Sequence, residues 1–326
     1  MSNQALSAPT RVIAVALNPA LDYTLEVNHL HPGEVNRALR MQIDVGGKAI
    51  NVASCLADFG IASAVTGQLG RENAFQFEAL FSRKAISNQF FYLDGLTRIN
   101  TKLVDLAKGE TTDINMPGPT LAPGDIDGLM QGLLARLDSL VGKDCWVVLA
   151  GSLPPGWPVE TYQTLIKQVH GLGGRVVLDA SGAPLASGLA AAPDIVKPNR
   201  AELAELVGHD LGDIHSVIDA AHDLLAGAHA PQTVIVSMGG DGALFMNREE
   251  TWLAHPAKVD LLSTVGAGDA MVAGIVAARL AAMTLADSAR LATAFSAAKL
   301  ARLGPHLPAA EAVRALADSI QISSHF

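Results

Sequence analysis

The sequence predicts an α/β protein built on a mostly parallel sheet with helices on both faces. Three observations carry this. Short apolar runs alternate along most of the chain with longer segments of helical spacing, as strands buried between helices require. Several of these runs end in turns rich in Gly, Pro or Asp, and ligands bind open parallel sheets at such strand ends. Two tracts, 23–44 and 97–116, depart from the pattern. Their polar and apolar residues alternate, which predicts half-exposed strands forming a small second sheet.

The elements follow in order. Residues 11–17, Arg-Val-Ile-Ala-Val-Ala-Leu, read as a buried first strand stopped by Asn18-Pro19, with Asp22 just past its carboxyl end. Residues 23–30 and 34–44 read as two strands separated by His31-Pro32-Gly33. Gly46-Gly47-Lys48 opens a helix that runs to Phe59 and stops at Gly60. A lysine there opposes the helix dipole, a misfit that points to a nearby anion. The spacing is not that of a P-loop. Strands are expected over 62–66, 88–93, 97–104 and 111–116, with a helix over 72–84. Arg98, Asn100 and Lys102 share one face of the third of these strands. They are either its solvated side or a local positive charge.

From Pro123 onward strands and helices alternate regularly. Helices are expected over 125–140 and 161–170, and strands over 145–150, 175–179, 195–196 and 233–236. Gly151-Ser152-Leu153-Pro154 forms the turn after the first strand of this half. Asn199 and Glu202 have capping-box spacing, which alone explains both. Gly239-Gly240-Asp241-Gly242 is a Gly-rich strand exit that a tight hairpin could also use. Two antiparallel edge strands, 243–246 and 251–255, precede three closing helices, 267–283, 286–303 and 308–319.

The first of those helices opens on Ser263-Thr264-Val265-Gly266-Ala267-Gly268-Asp269. A loop turns into a helix there, the first backbone N–H groups have no intrahelical acceptor, and glycines let an anion approach them. Asp269 falls in the first turn. It either complements the helix dipole or serves as a base beside a phosphoryl group in transit.

Composition bounds the function. Hydrophobic residues make up 49% of the 326 and charged residues 17%, enough apolar material for a large core, and neither linker nor repeat divides the chain. One domain is expected over 1–326. The formal net charge of −9 argues against nucleic acid or an anionic membrane as partner. Cys55 and Cys145 sit in apolar runs and read as core thiols, and no zinc spacing is present. The start of the chain, 1–11, is polar and expected to be flexible. It lacks a signal peptide's apolar core, and no apolar run is long enough to span a membrane. A reducing, cytoplasmic setting fits. His215, His222 and His229 recur every seven residues but lack carboxylate partners, so a solvated helix face explains them.

Taken together, residues 264–269 and 46–51, with Asn18-Pro19-Ala20-Leu21-Asp22, residues 151–154, Lys197-Pro198-Asn199 with Glu202, and Ser237 with 239–242, resemble the signatures of the ribokinase-like (phosphofructokinase B) sugar kinases. Each piece is weak alone. Their order across nearly the whole chain is specific. The resemblance implies a three-layer α/β/α ribokinase-like fold whose small sheet, from about 23–44 and 97–116, acts as a lid, with a homodimer formed through it. It implies ATP-dependent phosphorylation of a phosphosugar, fructose 1-phosphate first, with tagatose 6-phosphate and fructose 6-phosphate open. Asp269 would be the general base, and Gly266, Ala267 and Gly268 the anion hole. Asp22, Gly47 and Asn51 would hold sugar hydroxyls, Lys48 and Arg98 the sugar's phosphate, and Ser152 would also touch the sugar. Lys197, Asn199, Ser237, Gly239, Gly242 and Thr264 would line the ATP site, with Asn199 and Glu202 supporting Mg²⁺ through water. Ala49 stands where the family usually has a third glycine, which narrows the backbone choices there. A non-catalytic sugar-phosphate sensor would need neither Asp269 nor the Asn199/Glu202 pair. A dinucleotide-dependent oxidoreductase would need a GxGxxG after the first strand, which is missing.

Overall fold

A computed structural model describes residues 11–302, 304 and 306–324. The expectations for residues 1–10 and for Leu303 lie outside the described residues. The first apolar run forms β1 (Val12–Ala16), buried throughout. β2 (Ala20–Val27) and β3 (Arg40–Gly46) pair antiparallel, and β3 leads directly into α1 (Lys48–Asp58). Both strands are shorter at their turn ends than the alternation predicts. Pro32 has no N–H to give a ladder. The Asn36 side chain takes up the backbone of His31, and the Asp105 carboxylate accepts from the Leu30 N–H. Ala49 lies in the first turn of α1, in ordinary helical backbone, so its methyl group meets no restriction. The conformation only glycine adopts easily falls on Gly47, at φ 115°.

Next come β4 (Ala64–Gly70), α2 (Phe75–Arg83), β5 (Ser87–Leu93), β6 (Ile99–Asp105) and β7 (Glu110–Ile114). Then follow α3 (Pro123–Leu140), β8 (Trp146–Ala150), α4 (Thr161–Gly171), β9 (Arg175–Asp179), α5 (Gly182–Leu189), β10 (Ile195–Val196) and α6 (Arg200–Val207). The chain closes with α7 (Ile214–Ala226), β11 (Thr233–Ser237), β12 (Ala243–Met246), β13 (Thr251–Ala254), α8 (Ala267–Leu280), α9 (Leu285–Leu300), α10 (Ala310–Ser319) and β14 (Ile322–Ser323). Helix α5 is invisible to periodicity, because Gly, Ala, Ser and Pro dominate it. Its proline sits in the first turn, where no N–H is needed. Helix α7 ends before Gly227, which leaves His229 off the helix. Among the described residues no His, Cys, Asp and Glu cluster could hold a metal.

The large sheet has the order β14-β13-β12-β11-β10-β9-β8-β1-β4-β5. From β11 to β5 every pairing is parallel, and β12, β13 and β14 add an antiparallel edge. The chain leaves β1 toward β4 on one side and returns through β8 on the other. Strand order therefore switches beside β1, and a crevice opens at the carboxyl ends there. Successive residues of β1 feed opposite cores. Val12, Ala14 and Ala16 pack with α1, α8 and α9, and Ile13, Val15 and Leu17 with α3, α4 and α7. This is the three-layer arrangement. Helix α8 is buried from Asp269 to Ala278, so its sequence has no polar stripe. A methyl group on Gly274 would come within 2.6 Å of Ala292 Cα, which explains why small residues fill the seam between α8 and α9.

The small sheet has the order β3-β2-β6-β7. In register, Asp22 lies opposite Asp44 and Asn100, and Tyr23 opposite Ile43 and Thr101. Asp22, Asn100 and Lys102 thus share a polar face, whereas Leu25, Met41, Ile43 and Leu103 share an apolar one. Both cysteines are buried and neither forms a disulfide among the described residues, and burial pushes the Cys55 thiol up to about 12. No helix among the described residues is long and apolar enough to cross a membrane.

Candidate active site

A cleft of about 460 Å³ lies at the switch point. Its floor is made by the ends of β9, β10 and β11 and the first turns of α1 and α8. Its roof is the polar face of the small sheet. Of the residues expected from the sequence, Asp22, Gly47, Lys48, Asn51, Arg98, Lys197, Asn199, Glu202, Ser237, Gly266, Gly268 and Asp269 line it. Two stretches of the chain 218 residues apart meet there, where Asn51 Nδ2 donates to Asp269 Oδ2 at 2.7 Å.

Five expected residues stand outside this lining. Ala267 lies between two lining glycines in the first turn of α8. Ser152 is exposed and accepts from Asn18 Nδ2 at 3.1 Å. Thr264 is exposed on the loop before α8. Gly239 and Gly242 flank a short 3₁₀ turn just beyond Ser237.

The floor is organised by a residue the sequence reading passed over. Asp179, the last residue of β9, is 1% exposed, and its Oδ1 accepts from Lys48 Nζ at 3.0 Å and lies 3.4 Å from Lys197 Nζ. Burial alone would raise its pKa, but Lys197 and Lys48 outweigh that and hold the carboxyl below its usual range. Burial likewise opposes the Lys48 charge, and attraction by Asp179, Asp269 and Glu202 reverses the balance. The misplaced lysine at the start of α1 is thereby explained, since its anion is Asp179. An aspartate ending an otherwise apolar buried strand was the signal available in the sequence. Asp179 Oδ2 is buried with no hydrogen-bond partner among the described residues.

Gly266 caps α8 in the left-handed conformation at φ 80°, without a side-chain cap. The N–H groups of the first turn therefore face the cleft rather than a capping oxygen. A methyl group on Gly268 would sit 3.5 Å from Lys197 Nζ, so a buried ammonium adjoins the positive end of the helix. That pairing is unfavourable until an anion enters between them. Asp269 is 7% exposed, and its carboxyl is pushed up to about 6, by burial first and then by the Asp179 charge.

Three of the expected sugar-side residues also have partners within the protein. Asn51, expected on a sugar hydroxyl, donates one amide N–H to Asp269. Arg98, expected on phosphate, donates to the carbonyls of Asn18, Pro19 and Met116 and ties the roots of the small sheet together, though it still lines the cleft. Asp22 accepts from Asn100 Nδ2 at 2.9 Å and lies 4.0 Å from Lys102 Nζ, so the roof carries a second cation that belongs with the site. Asn199 and Glu202 form the reciprocal capping box, with both bonds at 2.8 Å. Both still line the cleft. Oxygen donors there suit a hard cation such as Mg²⁺ that keeps most of its water and takes further ligands from phosphates.

The pfkB family of carbohydrate kinases matches residues 15–312, most of the chain. The chain belongs to that family. It is 45% identical over 319 residues to the 1-phosphofructokinase of Xanthomonas campestris pv. campestris, covering 96% of this chain and 98% of that protein. It is 44% identical over 314 residues to the 1-phosphofructokinase of Rhodobacter capsulatus, with the same coverages. The crystal structure of phosphofructokinase-2 from Escherichia coli in complex with potassium superposes with a TM-score of 0.87 at 27% identity. That match covers 95% of this chain and 99% of the other. The fold is therefore ribokinase-like, and the protein is a phosphotransferase with an alcohol group as acceptor that acts on a phosphosugar.

Proposed function

We propose that this kinase transfers the γ-phosphoryl group of ATP to the free primary hydroxyl of D-fructose 1-phosphate, giving fructose 1,6-bisphosphate and ADP. One observation carries the mechanism. A carboxylate with its pKa raised toward neutrality stands in the first turn of α8, beside unpaired backbone N–H groups and across the cleft from Lys48. Asp269 takes the hydroxyl proton, the sugar oxygen forms the new P–O bond, and the bond to the ADP oxygen breaks. The Gly266-Ala267-Gly268 turn receives the negative charge that gathers on the phosphoryl oxygens. Lys197 lies beside that turn, and Asn51 aims the carboxylate. Ser237, Gly239, Gly242 and Thr264 lie along the nucleotide side. Mg²⁺ near Asn199 and Glu202 would neutralise charge on the nucleotide phosphates.

The roof holds the sugar. Asp22 meets hydroxyls, while Lys48, Arg98 and Lys102 supply positive charge for the phosphate already present. As a lid, the small sheet excludes the water that would otherwise accept the phosphoryl group. Its other face leaves Met41 57% and Ile43 39% exposed, and a second copy of the chain covering that face makes a homodimer. The relatives' names favour fructose 1-phosphate over tagatose 6-phosphate and fructose 6-phosphate. Coupled ADP release with Mg-ATP across the three sugars tests this. The highest kcat/KM should fall to fructose 1-phosphate, and a higher value for either 6-phosphate would reassign the substrate.

A further inference from the structure

Lys299 is a buried cation with no part in the mechanism above. It lies in the last turn of α9 and is 3% exposed. Its Nζ donates to the Arg302 carbonyl at 3.0 Å, just past the end of the helix. That bond alone would be satisfied by a surface lysine, since cations favour helix C-termini whether or not they are buried. Burial of an ammonium needs a further reason, because the desolvated charge is costly. Among the described residues no carboxylate lies within ion-pair distance of it. Its stem instead runs under the anion-hole turn. A methyl group on Gly266 would sit 3.4 Å from Lys299 Cε, 3.8 Å from Asn51 Nδ2 and 3.8 Å from Asp269 Oδ2.

We propose that Lys299 is a positioning residue for phosphoryl transfer, pinning the Gly266 turn from below and placing a fixed positive charge behind the anion hole and the base. The proposal rests on the kinase reading of that turn. Three titratable groups face the ammonium. They are Asp44 from β3, Cys55 from α1 and Asp269 from α8, and the Cys55 thiol stays neutral near pH 7. The charge left to respond to Lys299 is thus shared between the base and one aspartate of the roof. Burial lowers the Lys299 pKa, which also marks the ammonium as incompletely compensated when the cleft holds no anion. An incoming phosphoryl group supplies that compensation, most fully when charge develops on its oxygens.

The test is Lys299→Met, which keeps the length of the stem and removes the charge. The expected kcat loss is about 10²-fold, with KM for the phosphosugar little changed, because the turn is misplaced rather than the sugar site. The acid limb of the kcat profile should move to higher pH, since Asp269 loses a stabilising cation and protonates more readily. Normal kcat together with an unmoved acid limb overturns the proposal. If Lys299→Met does not fold, Lys299→Gln replaces it, because its amide can still reach toward the Arg302 carbonyl. The acid limb must again move upward, and an unmoved limb overturns the proposal. Wild-type protein that turns over none of the three phosphosugars would instead remove the kinase reading itself, a separate outcome.

Discussion

The floor and the roof of the cleft face the same space but are built on different physical terms. Floor charges sit at strand ends and helix starts of the large sheet, and the Asp179 and Lys197 side chains are 1% and 5% exposed. Roof charges sit on a half-exposed sheet, where the Asp22 and Lys102 side chains are 19% and 17% exposed. In the floor, desolvation makes Asp179, Lys197 and Asp269 depend on their neighbours, and the Asp269 carboxyl is pushed up to about 6. In the roof, water screens the charges and leaves them free to trade partners with a ligand. The floor is therefore suited to the chemical step and the roof to recognition. Substitutions in the two regions should fail in different ways.

The largest effect belongs to the base. Asp269→Asn should lower kcat by about 10²–10⁴-fold while the fold persists. It should also melt at a higher temperature than the wild type near pH 7.5. The sign follows from the raised pKa. The folded carboxyl holds its proton up to about 6, well above its unfolded value, so stability is lost as pH rises from about 4 through 6. At neutral pH that loss is about 3 kcal/mol, and a neutral side chain avoids it. Near-wild-type turnover by the variant would remove Asp269 from the base role. In the wild type, kcat/KM should rise with pH through an apparent pKa near 6, that of the free enzyme. A profile flat from pH 5 to 8 would break the link between burial and function.

Asp179 separates floor from roof in stability. Asp179→Asn leaves Lys197 buried, and the more exposed Lys48 beside it, without their shared counter-charge, so denaturant titration should show a loss of about 3 kcal/mol. Asp22→Asn in the roof should lose about 1 kcal/mol or less. Equal losses would mean that burial does not distinguish the two. Arg98→Ala comes next. It should raise KM for the phosphosugar about tenfold or more and KM for ATP much less, because it frees three carbonyls at the root of the roof as well as removing a cation. Similar changes in both constants would place Arg98 outside the sugar side. The smallest catalytic effect is expected on the roof's outer face. Met41→Glu should shift sedimentation from dimer to monomer with kcat less affected than by any floor substitution. An unchanged dimer would take the interface elsewhere.

Much of this was legible before any coordinates. The strand-and-helix alternation, the two glycine-opened helices and the polar–apolar period of the small sheet are local properties, written into runs of neighbouring residues. Asp269 and Lys48 stood out because each sits at a glycine-opened helix start whose backbone geometry its own neighbours dictate, and Lys197 through the family resemblance of its motif. Asp179 was given no role and Lys102 only a place on a strand face, because their pairings are with residues more than 75 positions away in sequence, Lys48 for one and Asp22 for the other. The misfit of Lys48 with its helix dipole was a true signal, but it pointed to an anion without saying which.

The sequence determined the class of fold and the places where glycines open α1 and α8, with Asp269 in the first turn of the latter, because hydrophobic period and glycine placement act over a few residues. Tertiary structure alone decided who pairs with whom. It gave Lys48 and Lys197 one carboxylate, turned Asn51 toward Asp269, committed Arg98 to three carbonyls and slid Lys299 beneath Gly266. Those pairings set the charges in the cleft, because a charge taken out of water answers to whatever the fold brings within a few ångströms of it.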